Sequence, residues 1–176
     1  MKPARLALPL LALLAASAAQ AEKLELDHRL HAGLHAAIEQ PGEETVYFDA
    51  SNPRRIFDRI LIRGTSAERD WTEALELVTY PRNLQAPDPE AWYRAFPAGA
   101  ESPCPASASV LARDAQSLTF ALEAPPCPAG PAFTGLYRVV FGRKTVYLAA
   151  GKLKGSMSAA QRAEWLALLA SAHLSK

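Results

Sequence analysis

Residues 135–150, GLYRVVFGRKTVYLAA, are two β-rich runs joined at Gly142-Arg143. Glycine in the first central position of a two-residue loop suits a type II′ turn, whose twist matches the flanking strands. The stretch therefore predicts a β-hairpin, and with it a sheet that the rest of the chain must cover. Downstream, Ser158-Ala159-Ala160-Gln161 has the spacing of a capping box, in which serine and glutamine each satisfy a free backbone N–H. It opens a helix through Trp165, Leu166, Leu168 and Leu169 that should pack on the sheet.

Upstream, Leu118, Phe120 and Leu122 alternate with Ser117, Thr119, Ala121 and Glu123, the period of a half-buried strand. Three more strand-like runs span Thr45 to Asp49, Ile56 to Arg63 and Thr72 to Tyr80, with turn residues Ser51-Asn52-Pro53 between the first two. Both faces of ILIR and LELVTY are partly apolar, which implies strands covered on both sides. Asp88 can cap, and Pro89 can open, a short helix through Ala91, Trp92, Tyr93 and Phe96 that stops before Pro97. Near the start, Leu26, Leu30, Leu34 and Ile38 form one apolar stripe of a helix from about Asp27 to Ile38, ended by Pro41-Gly42. Gly33 lies inside it at a cost of about 1 kcal/mol relative to alanine.

These elements predict an α+β fold: an antiparallel or mixed sheet of about six strands with an N-terminal helix, a short middle helix and a C-terminal helix packed on it. Residues 22–176 suffice for one domain with a real core. Residues 1–21 carry Lys2 and Arg5, an apolar run and a final Ala19-Gln20-Ala21, the layout of a cleaved secretory signal. Its apolar run is shorter than the roughly 20 residues a bilayer span needs. Cleavage near Ala21 predicts a secreted, periplasmic product with no membrane span, and with no N-terminal cysteine for a lipid anchor. It leaves 17 basic against 18 acidic side chains, a balance that argues against nucleic acid as a partner.

In an oxidising compartment, Cys104 and Cys127 are expected to form a disulfide, since their spacing suits neither a redox C-x-x-C nor a zinc site. Nine prolines between Pro87 and Pro131 mark the surrounding region as irregular connections.

Trp71-Thr72-Glu73 ahead of a strand, Cys104-Pro105, Cys127-Pro128, the hairpin Leu136-Tyr137 to Tyr147 and Trp165-Leu166 resemble, in that order, a group of small secreted proteobacterial proteins of unknown function. The likeness spans about residues 60–170. The layout is also similar to the PsbP-like α/β sandwich, a resemblance that implies an accessory or assembly protein rather than an enzyme.

The one compact cluster of chemistry-bearing residues is DHRLHAGLH, residues 27–35. On a helix, His28, His31 and His35 lie within about 60° of one another. Imidazoles so placed could ligate zinc or copper, or serve as the wet face opposite the leucine stripe. The general base of H-E-x-x-H is missing. Arg143, Lys144, Lys152 and Lys154 are expected to form a basic patch at one end of the sheet, suited to an anion or an acidic partner. FGRKT lacks the first glycine of a phosphate loop, and no G-x-S-x-G occurs. Asp70, Glu73 and Glu76 could supply the two carboxylates of a glycoside hydrolase, but Glu73 and Glu76 have opposite parity in a strand and point to opposite faces. Trp71, Trp92 and Trp165 are expected in the core. The sequence thus favours a non-enzymatic periplasmic accessory or binding protein, without a cofactor, that acts through a protein partner. The alternative is a zinc- or copper-binding protein, or a metal-dependent enzyme, using His28, His31 and His35.

Overall fold

A computed structural model describes residues 22–175, so the expected secretion signal lies outside the described residues. Nine strands are present there: β1 (Lys23–Glu25), β2 (Val46–Asp49), β3 (Ile56–Ser66), β4 (Asp70–Pro81), β5 (Ser107–Arg113), β6 (Ser117–Ala124), β7 (Phe133–Phe141), β8 (Thr145–Leu153) and β9 (His173–Ser175). Three α-helices accompany them: α1 (Ala32–Glu39), α2 (Pro89–Arg94) and α3 (Ala159–Ala170). The fold is α+β, but its main sheet has seven strands rather than six, in the order β2-β3-β4-β8-β7-β6-β5, every pairing antiparallel. β1 and β9 form a separate two-stranded sheet. The extra main strand, β5, is an edge strand exposed along its whole length. It has no buried face and therefore shows no alternation in sequence.

The β7–β8 hairpin sits at the middle of the sheet, with β4 and β6 on its flanks. Its turn differs from expectation. Gly142 N donates to Thr145 O at 2.8 Å, so Arg143 and Lys144 are the central pair. Among the described residues, left-handed φ occurs at Gly64 and Gly155 and not at Gly142, so the type II′ geometry is not formed.

The N-terminal helix is also shorter than the stripe predicts. Asp27 caps a single 3-10 turn at His28–Leu30, the chain extends at His31 (φ −133°, ψ 107°), and α1 begins at Ala32. His31 Nδ1 accepts the free N–H of Leu34 at 3.1 Å. An imidazole thus supplies the N-cap bond that serine or aspartate usually makes. The break divides the stripe: Leu34 is fully buried, whereas Leu30 and Ile38 are exposed.

The two faces of the main sheet are covered differently. On the helix face, α1 and α3 bury Leu34, Trp165, Leu168 and Leu169 against Leu75, Leu136 and Ala149. The capping box forms as expected, Gln161 N to Ser158 Oγ and Ser158 N to Gln161 Oε1. Gly151 on β8 is the landing site for Trp165, whose ring occupies the space a Cβ would need.

The opposite face is crossed by residues 82–106, because β4 near one side of the sheet must connect to β5 at the far edge. This crossover carries α2, capped by Asp88 with Pro89 in its first turn as predicted. It seats Trp92 against Phe120. Cys104 and Cys127 are disulfide-bonded with Cα atoms 5.8 Å apart, tying the end of the crossover to the connection before β7.

Candidate functional site

Successive residues of a strand point to opposite faces. Glu73 and Glu76 of β4 follow that rule, and each meets its own set of partners. Glu73 turns to the helix face, where Trp165 Nε1 donates to its Oε1 at 3.1 Å and Arg63 Nε lies 3.2 Å from Oε2. The buried His31 ring packs 4.1 Å from the Trp165 ring, with Nε2 3.7 Å from Glu73 Oε1. Burial pushes Glu73 upward, but contacts from His31 and Trp165, with the Arg63 charge, more than offset it and hold the carboxyl below its ordinary value. His31 is therefore a core residue bridging α1, β4 and α3. It does not share a surface with His28 and His35, which corrects the expected triad.

Glu76 faces the crossover side. Arg59, directly opposite on β3, donates from Nε and Nη2 to Glu76 Oε1 at 2.9 and 2.7 Å. Its Nη1 donates to Ala67 O at 2.9 Å. The guanidinium lies between two rings, 5.0 Å from Phe57 and 4.9 Å from Trp71. From β8, Lys152 Nζ reaches Glu76 Oε2 and Glu101 Oε2, both at 2.5 Å. Glu101 comes from the crossover and also accepts from Tyr137 OH at 3.0 Å. Gly135, two residues before Tyr137 on β7, leaves the room into which that ring lies. Burial and the nearby Glu101 and Glu76 carboxylates push the Tyr137 phenol far above its usual range, so it stays a donor.

Four charges thus compensate one another on the floor of an open cavity of about 360 Å³. Tyr47, Phe57, Trp71 and Phe133 stand around it. Sequence reasoning singled out Glu76 and Lys152 separately but missed Arg59, Glu101 and Tyr137. The available signal was parity: an arginine inside the apolar run IFDRILIR needs a partner on its own face.

The remaining expected residues are dispersed. Arg143 and Lys144 lie in the hairpin turn, and Arg143 Nε pairs with Glu22 Oε1 at 2.9 Å. Lys152 and Lys154 sit at the other end of β8, about 27 Å away at the rise of an extended strand. Lys152 is buried between carboxylates, and Lys154 stands over the Trp71 ring at 4.3 Å. No common basic patch forms among these four. Asp70 is exposed, accepts from Thr65 Oγ1 at 2.7 Å and lies outside the cavity. Trp92 and Trp165 are buried as expected, but Trp71 is half-buried at the cavity edge. On the outer side of α1, His28 and His35 come together, Nδ1 to Nδ1 at 3.2 Å, with the Glu39 carboxylate nearby.

No protein-family model and no curated protein matches the chain. Among solved structures it is similar to a crystal structure from Bacteroides thetaiotaomicron VPI-5482, with 10% identity and a TM-score of 0.37. That match covers 75% of this chain and 42% of the other, so the chain spans less than half the length of that structure.

Proposed function

We propose that this is a non-enzymatic, secreted periplasmic accessory protein that binds a protein partner through the cavity on the crossover face. The observation that carries the reading is the self-compensated network of Arg59, Glu76, Lys152 and Glu101 beneath an aromatic rim. Hydrolysis by two carboxylates needs room between them for the scissile bond and water. Here Lys152 Nζ fills the space between Glu76 and Glu101. Partner recognition instead concentrates in partly exposed Trp, Tyr and Arg around a preformed pocket, and Trp71, Tyr47 and Arg59 are such a set.

Secretion is supported by the signal-like layout of residues 1–21 and by the disulfide. Among the described residues no helix is long and apolar enough to cross a membrane. The resemblance to PsbP-like accessory proteins agrees with a binding role.

A photo-crosslinker placed at Tyr47, with a control at Val110 on the far edge strand, tests the proposal in periplasmic extract. One stoichiometric partner should crosslink from position 47 alone and be lost in Trp71→Ala. Equal labelling from both positions, or none from position 47, overturns it.

A further inference from the structure

We propose that His28, His35 and Glu39 form a binding site for one divalent transition metal ion, zinc or copper(II), on the solvent side of α1. Two imidazole nitrogens bound about 2.0–2.1 Å from a tetrahedral zinc stand about 3.3 Å apart. The His28 and His35 Nδ1 atoms are 3.2 Å apart. The ring centroids, 5.2 Å apart with planes inclined by 26°, fit two lone pairs converging on one point beside the rings.

The local fold holds this geometry in place. Asp27 caps the 3-10 turn that carries His28 and is itself clamped by Arg29, Nε to Oδ1 at 2.7 Å and Nη2 to Oδ2 at 3.0 Å. His35 and Glu39 lie one turn apart on α1, so their side chains share a face. One donor atom from each of the three residues falls within 4.8 Å of the others. Glu39 is exposed, which leaves its carboxylate accessible beside the two rings. His31 takes no part: its Nδ1 caps α1 and its ring lies under Trp165.

Metal binding replaces the Nδ1–Nδ1 contact: each ring turns its Nδ1 lone pair to the ion and carries its N–H on Nε2. Two imidazoles and one carboxylate suit zinc or copper(II) rather than calcium or magnesium, and they leave a coordination position for water or a partner's side chain.

The test uses the secreted protein purified without a histidine tag, titrated with zinc by calorimetry and with copper(II) by electron paramagnetic resonance. One ion per chain is expected. His28→Ala and His35→Ala, each confirmed as folded by circular dichroism, should weaken binding at least about tenfold, with a smaller loss for Glu39→Gln. The copper spectrum should show splitting from two nitrogens. Absence of binding at about 100 µM ion, undiminished binding in either histidine variant, or a three-nitrogen pattern would overturn the proposal.

Discussion

Glu73 and Glu76 are three residues apart on one strand, 2% and 4% exposed, yet they are buried by different means. On the helix face, two regular elements lay apolar side chains across the strands, and Glu73 is met by an indole N–H, one exposed guanidinium and a histidine edge. On the crossover face, the cover is an irregular segment whose course is set by the need to reach β5 and by a disulfide. A cavity lies between it and β3, and Glu76 is at the floor of that cavity among charges that compensate one another. A buried carboxylate alone therefore does not mark a functional site. The distinguishing feature is the room left above it, which the covering element determines.

If the helix face depends on dense packing, Trp165→Ala should have the largest effect. It deletes a fully buried ring and removes the indole donor from Glu73, for a loss of about 4–5 kcal/mol in urea unfolding. A loss below about 2 kcal/mol would mean that α3 repacks easily and that the two faces differ less than described. Next is Cys104→Ser with Cys127→Ser, which releases a cross-link spanning 23 residues. The chain-entropy model gives about 3 kcal/mol for a loop of that size. Hydrogen exchange should lose protection in residues 82–106 and keep it in α3. Equal loss on both faces would show that the disulfide supports the whole fold rather than the crossover alone.

The parts of this arrangement that were legible in sequence are those with local causes. The hairpin, the Ser158–Gln161 box, the Asp88-Pro89 start of α2 and the cysteine pair depend on neighbours within a few positions or on compartment chemistry. β5 was hidden because an edge strand without a buried face has no period to detect. β1 and β9, three residues each, pair across nearly the whole chain. The break at His31 was masked by a leucine spacing that continues through it, and imidazole is not among the side chains that usually signal an N-cap. Parity separated Glu73 from Glu76, but joining Glu76 to Glu101 requires the crossover, a contact of the fold rather than of the sequence.

Two smaller effects sharpen the comparison from within the ionic groups. Lys152→Met leaves Glu76 and Glu101 facing each other with Arg59 as the remaining cation. Breaking a fully buried pair costs about 3–5 kcal/mol, and with Arg59 retained the loss should be about 2 kcal/mol at pH 7. It should be smaller when Glu101→Gln is added, because the facing carboxylate is then gone, a difference readable from unfolding midpoints. An equal loss in the single and double variants would assign the role of Lys152 to packing of its alkyl chain.

Glu73→Gln gives the smallest change at neutral pH, about 1 kcal/mol, because the amide oxygen can still accept from Trp165. Its consequence lies in acid. A carboxyl held below its ordinary value in the folded state contributes stability that is fully present above the unfolded value of about 4.3 and is lost as pH falls through the folded one. Wild type should therefore lose stability on acidification below about pH 4 more steeply than Glu73→Gln. Parallel acid profiles would show that the helix face holds its carboxylate without preference for charge. The contrast between the faces would then rest on the cavity alone.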